Sequence, residues 1–257
     1  MILKYKNIPV FYEDVGEGEP IVLLHGFLEN AAMWHDIKKD LIQTNRVISV
    51  DLLGHGKTGC IGYIHKMSDM ANAVLSVLEH LDVKEYNLIG HSMGGYVSLD
   101  MAERYPKAVN RLCLINSTYK ADDEERRMVR QRANKMVQSN YEAVVKMSFI
   151  NLFSSESRKT HASELEKALF QALKTPLQGY IAAQEGMMVR TDKYELLKAL
   201  DAKKIIIVGK KDPVVDANRI LKETIGTNIV CKQLPDGHMS HIENKSELSY
   251  IIKHFIE

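Results

Sequence analysis

One stretch constrains this chain more than any other: Tyr86-Asn87-Leu88-Ile89-Gly90-His91-Ser92-Met93-Gly94-Gly95-Tyr96-Val97. Its first half is a short apolar run with a β-branched residue, then glycine, which reads as a buried strand that stops abruptly. Its second half opens a helix, with Met93, Val97 and Met101 at four-residue spacing and Pro106 closing the run. Gly90-x-Ser92-x-Gly94 stands at the junction. A serine on so sharp a strand-to-helix turn takes a strained backbone conformation, and the residues two before and two after it come close together. Glycine at both places removes the Cβ atoms that would collide. The turn also sets Ser92 at a helix N-terminus, where free N–H groups and the macrodipole favour negative charge. Ser92 is the candidate nucleophile.

Around this junction strand and helix alternate. Residues 1–15 suggest a hairpin at a sheet edge. Ile21 to Leu24 and Arg46 to Asp51 read as buried strands, with a short helix from Trp34 to Leu41 between them. Ser68 caps a helix whose Met70, Ala71, Val74, Leu78 and Leu81 share a face, and Arg111 to Ile115 is another buried strand. Such alternation with short links predicts an α/β fold, a mostly parallel twisted sheet with helices on both faces. The pattern breaks from about Lys120 to Thr191, where only helical segments are legible. It resumes with strands at Lys204 to Val208 and Asn228 to Leu234 and helices near Ala217 to Thr224 and Ser246 to Ile256. Residues 119–191 are therefore expected to be a helical cap inserted into a core made of 1–118 and 192–257. The run Asp122-Asp123-Glu124-Glu125-Arg126-Arg127 mixes both signs and reads as a solvated helix face.

Charge excludes several classes of partner. A net charge of +1 offers no broad field for nucleic acid, a membrane surface or a polyanion. No apolar run approaches the length that spans a bilayer, and Met1 to Lys6 lacks the apolar core of a signal peptide. The three cysteines, Cys60, Cys113 and Cys231, are scattered and without C-x-x-C spacing, so a reducing cytoplasm is expected. A small molecule is the expected partner.

A serine hydroxyl needs a base to take its proton and a third group to orient that base. In an open parallel sheet these belong on loops at the carboxyl ends of later strands. Asp212 follows strand 204–208 by one short loop, and His238 follows strand 228–234, giving the order Ser92, Asp212, His238. Asp236 lies too close to His238 in sequence to reach behind its ring, Asp51 organises an earlier loop, and Asn116 cannot supply the charge. His238 is preferred as base over His241, which begins the approach to the last helix. The oxyanion needs two preorganised donors. Met93 N–H, directly after the nucleophile, is one, and Phe27 N–H, after His25-Gly26, is the other. His25 and His91 read as loop-fixing residues. Among ten histidines there is no H-E-x-x-H, and His238, His241 and Glu243 need no ion to explain them. No metal is expected, and the 54–59 loop lacks a nucleotide-binding signature. An apolar wall over Ser92 is expected from among Met136, Met147, Phe149, Leu152, Phe153, Met187 and Met188.

The segments Leu23-Leu24-His25-Gly26-Phe27, Asp51-Leu52-Leu53-Gly54-His55-Gly56, Gly90 to Gly95, Gly209-Lys210-Lys211-Asp212 and Gly237 to Glu243 occur in this order across the chain. In them the chain resembles the α/β-hydrolase superfamily, in its small capped esterase-like branch. The resemblance implies the α/β-hydrolase fold and a cofactor-free serine hydrolase acting on a small carboxylic ester, with His238 as base because the family's motif histidine directly follows glycine. Serine at position 92 separates the chain from haloalkane dehalogenases and epoxide hydrolases, which use aspartate there. A second reading keeps the same three residues for C–C bond hydrolysis or menaquinone-pathway lyase chemistry, with Arg190 holding a substrate carboxylate. Tyr96, where those synthases show arginine, departs from that pattern. A binding protein on the same fold is the third reading.

Overall fold

A computed structural model describes residues 1–257. The chain opens with an antiparallel hairpin, β1 (Ile2–Tyr5) and β2 (Ile8–Val15), then β3 (Glu19–Leu24). A 3₁₀ turn at Ala31–Trp34 leads into α1 (His35–Leu41), followed by β4 (Asn45–Val50), α2 (Met67–His80), β5 (Tyr86–His91), α3 (Met93–Arg104) and β6 (Val109–Ile115). Five helices come next: α4 (Glu124–Ser139), α5 (Tyr141–Ile150), α6 (Ser157–Thr160), α7 (Ala162–Ala172) and α8 (Leu177–Met188). After α9 (Tyr194–Ala199) the alternation returns as β7 (Lys203–Gly209), α10 (Ala217–Thr224), β8 (Ile229–Leu234), α11 (Ser240–Glu243) and α12 (Lys245–Ile256). Helix α2 starts one residue before the expected cap at Ser68. Met67 is already buried, and the Asp69 carboxylate accepts the Lys66 N–H at 3.3 Å.

The eight strands form one sheet in the order β1-β2-β4-β3-β5-β6-β7-β8; β1 and β2 run antiparallel, and β4 onward are mutually parallel. Strand periodicity explains why the central strands are apolar throughout. Successive side chains point to opposite faces, and here both faces are covered. Val22, Leu24, Leu88, Leu112, Leu114, Ile206 and Val208 pack on one side with α2, α3 and α10. Their neighbours Ile21, Leu23, Ile89, Cys113, Ile115, Ile205 and Ile207 pack on the other with α1 and α12.

A third apolar cluster lies beneath the helices between β6 and β7. Val145, Phe149 and Tyr180 meet Leu28 and Met239, which come from the loops after β3 and β8. Helix α8 seats directly on the backbone of the 54–65 loop. A Cβ at Gly179 or Gly186, one face of the helix seven residues apart, would strike the carbonyl oxygens of Gly54 and His65 respectively. Ala182 O accepts the His65 N–H at 2.9 Å between them. No helix is long and apolar enough to cross a membrane.

Candidate active site

Ser92 holds φ +50° and ψ −114°, strained for a residue with a side chain. The strain persists because its neighbours leave no alternative. A Cβ at Gly90 would lie 2.5 Å from Gly94 O, and one at Gly94 would collide with Leu24 O. The turn presents Oγ to the loop after β8, where it donates to His238 Nε2 at 2.9 Å. The other ring nitrogen, Nδ1, donates to both Asp212 oxygens at 2.8 and 2.9 Å. Asp212 only accepts, so the proton sits on Nδ1 and Nε2 is free to take one from the serine.

The Asp212 carboxylate is fully enclosed. Burial opposes its charge, but His238, the Asn116 amide and the Val214 N–H outweigh burial and hold its pKa below the usual carboxylate value. Val214 N and Val215 N donate to Oδ1 at 2.7 and 3.0 Å, and Asn116 Nδ2 to Oδ2 at 2.9 Å. The same amide donates to Gly237 O at 3.1 Å, so Asn116 joins the acid loop to the histidine loop. Asn116 could not be the acid, and in the fold it fastens the residue that can.

Gly26 sits against the serine. A Cβ there would come within 3.2 Å of Ser92 Cβ, which is how the 25–28 loop approaches so closely. The Phe27 N–H has no hydrogen-bond partner in the protein, and Met93, first residue of α3, has no acceptor within its helix. His25 is a loop fastener. Its Nε2 accepts the Leu52 N–H at 2.8 Å and its Nδ1 donates to Gly26 O at 2.7 Å, while burial lowers its pKa and keeps it neutral. Asp51 similarly takes the N–H groups of Ala31 and Lys57 at 2.7 and 2.8 Å. Asp236 bonds Asn244 at 3.0 Å rather than the His238 ring.

Glu29 went unread in the sequence, although an acid three residues beyond Gly26 was a visible signal. Its Oε2 accepts Gly26 N–H at 2.8 Å and His91 Nδ1 at 2.7 Å, and His91 Nε2 donates to His238 O at 2.9 Å. Both neighbours of the His91 ring are acceptors, so both ring nitrogens carry protons. Burial pulls the His91 pKa down, but Glu29 outweighs it and the net shift is upward. Burial likewise opposes the Glu29 carboxylate, yet His91 and His241 bring its pKa down to about 2. His241, 3.4 Å from the other Glu29 oxygen, is pushed by burial to about 4, so its charge adds to that attraction only as the pH falls to about that value. Glu29, His91 and His241 could face one ion together. With both His91 nitrogens committed to protein acceptors, the ring has no lone pair for a metal.

Ser92 and His238 line a cavity of about 330 Å³, walled by Phe27, Phe149, Leu152, Tyr180, Met187 and Val214 among others. A wider cleft of about 810 Å³ lies behind Glu29, between α7 and the 241–247 segment, and neither Ser92 nor His238 borders it. The expected cavity residues divide. Met187 lines the wall, but Met147 and Met136 are exposed, and Met188 and Phe153 are buried elsewhere. Arg190 is also away from it. Its Nη1 pairs with Asp122 at 2.7 Å, its Nε donates to Lys120 O at 3.1 Å, and its guanidinium lies 4.1 Å over the Tyr96 ring. The 122–127 run corrects the expected solvated face. Asp123, Glu124, Glu125 and Arg127 are exposed, but Asp122 is buried between Arg130 and Arg190, and Arg126 reaches the cavity.

This fold, with a serine on a strained strand-to-helix turn, defines a known class of enzymes. A sequence profile of the alpha/beta hydrolase fold matches residues 19–245. The chain belongs to that family and is a hydrolase. It is 24% identical to the (E)-2-((N-methylformamido)methylene)succinate hydrolase of Acinetobacter baylyi, over 98% of this chain and 95% of that one. It is 29% identical to the dihydrolipoyllysine-residue acetyltransferase component of the Pseudomonas putida acetoin cleaving system, over 95% of this chain but 66% of that relative's length. Among solved structures, a thermophilic esterase from Thermogutta terrifontis, malate bound, superposes with a TM-score of 0.92 at 27% identity, covering 100% of this chain and 97% of that one.

Proposed function

We propose that the protein is a serine hydrolase that cleaves small carboxylic esters through an acyl-enzyme. The observation that carries this reading is the continuous line from Ser92 Oγ to His238 Nε2 at 2.9 Å and from His238 Nδ1 to Asp212 at 2.8 Å. Ser92 Oγ attacks the ester carbonyl carbon while His238 Nε2 takes its proton, and Asp212 steadies the imidazolium. The N–H groups of Phe27 and Met93 hold the oxyanion. Collapse expels the alcohol, which leaves with the proton from His238. Water, deprotonated by the same nitrogen, then attacks the acyl carbon and frees Ser92 with release of the acid. Helices α4 to α8, within residues 119–191, act as a cap, a reading supported by Phe149, Leu152, Tyr180 and Met187 in the cavity wall. The free thiols of Cys60, Cys113 and Cys231 accord with a reducing cytoplasm. A hydrolase and an esterase among the proteins it resembles accord with the chemistry. Arg190, the residue that the C–C or lyase reading assigned to the substrate carboxylate, is engaged with Asp122 and gives that reading no support.

The test is a serine-reactive fluorophosphonate together with chromogenic esters of increasing acyl length. Ser92→Ala should abolish labelling and lower turnover by roughly three orders of magnitude or more. Undiminished labelling of the variant would assign the nucleophile elsewhere.

A further inference from the structure

The wall of the cavity made by α4 carries more positive charge than the protein neutralises. Arg126, Val129, Arg130 and Ala133 line it at the spacing of one helix face. Beside them a single enclosed carboxylate, Asp122, is shared by two guanidinium groups, with Arg130 Nε and Arg190 Nη1 each at 2.7 Å. Arg130 also donates to Gln184 Oε1 at 2.6 Å. Arg126 has no share of that charge. Its only side-chain bond runs from Nη2 to Val214 O at 2.5 Å, on the loop that follows Asp212, and its Nε and Nη1 have no partner.

The acids nearby are engaged. Glu29, the one acid on the cavity wall, is held by His91 and Gly26 N–H. In the neighbouring groove that Arg126 also borders, Asp123 accepts Arg126's own backbone N–H, Asp216 caps α10, and Glu223 serves Tyr119, Arg219 and Lys120. A half-buried guanidinium with unspent donors loses hydration when an apolar substrate fills the space before it, and regains it only if the substrate brings an acceptor.

We infer that the ester taken by this site carries a free carboxylate, which is bound by Arg126 on α4 while the ester carbonyl lies at Ser92. The inference rests on the serine-hydrolase reading and narrows it to half-esters of short dicarboxylic acids. The cavity suits small molecules, since its roughly 330 Å³ is near the lower end of the 300–1,000 Å³ common for ligand sites.

The experiment compares kcat/KM for monomethyl and dimethyl esters of succinate and glutarate, in the wild type, Arg126→Gln and Arg126→Lys. Taking the monomethyl-to-dimethyl ratio within each protein and comparing it between proteins cancels the intrinsic reactivity of the two esters. Thermal melts establish that each variant is folded. The ratio should fall at least tenfold in Arg126→Gln, through KM more than kcat, and recover in part in Arg126→Lys. An unchanged ratio with Ser92-dependent turnover of both esters overturns the carboxylate site alone. If the wild type hydrolyses neither ester and Ser92 resists the fluorophosphonate, both readings fall together.

Discussion

Glu29 joins three separate pieces of backbone at the site, its own loop after β3, the end of β5 and the loop after β8. Through one oxygen it holds Gly26 N–H and His91, His91 holds His238 O, and its second oxygen faces His241. Its charge is worth most where both partners keep theirs. The Glu29 pKa falls from an ordinary 4.5 to about 2, so its contribution to stability is complete above about pH 4.5 and is lost as pH falls towards 2. The His91 pKa is raised above 6.5, so its contribution is present below that pH and is lost as pH rises through the folded value. Stability from the pair should therefore peak between those limits. Glu29→Gln leaves His91 without its counter-charge and should cost roughly 3–5 kcal/mol, flattening both limbs. Urea midpoints from pH 3 to 8 measure this, and a variant that retains the wild-type pH slope would show that the pair is not the titrating unit.

At the scale of elements, α8 combines two demands. One face must lie against the backbone of the 54–65 loop, and another must present Tyr180, Gln184 and Met187 to the cavity. Only glycine at 179 and 186 allows the first demand to be met without pushing the helix off the second. Gly186→Ala should force α8 away from His65 O, costing about 1–3 kcal/mol as overpacking does, and should raise KM for esters. Calorimetry with steady-state kinetics checks both. A variant with wild-type melting temperature and KM would mean the helix shifts along the loop at no cost. The docking face of this helix cannot be read from its own residues. Glycine lowers helix propensity, and nothing local announces the carbonyl that requires it.

The molecule as a whole is held so that the helical segment and the sheet do not separate readily. His238 N donates to Leu152 O at 2.9 Å, just beyond α5, and Glu243 accepts Ser154 N and Met239 N at 2.9 Å each. Leu28 and Met239 from the sheet's loops complete the apolar cluster under α5, α7 and α8. Unfolding should thus be one cooperative transition. Trp34, the single tryptophan and fully buried beside α1, reports on the sheet, whereas far-UV circular dichroism is weighted towards the helices. The two urea curves should coincide. An earlier loss of helix signal would show that α4 to α8 melt on their own.

Local patterning in the sequence determined the strand-helix alternation, the turn at Ser92 and the order of Ser92, Asp212 and His238, because each rests on neighbours within a few residues. Apolar runs specify strands, Gly90 and Gly94 specify the turn, and the loops holding Asp212 and His238 follow strand ends. Contacts between distant segments were beyond that reading. Glu29 meets His91 across 62 residues, Asn116 meets Asp212 across 96, and Arg190 finds Asp122 only when the end of α8 returns to the start of α4. Which arginine is neutralised and which faces the cavity was likewise settled only by packing. A charge run written in sequence has no inside or outside until a helix face has been chosen. In this chain that choice buries Asp122 and leaves Arg126 at the cavity wall.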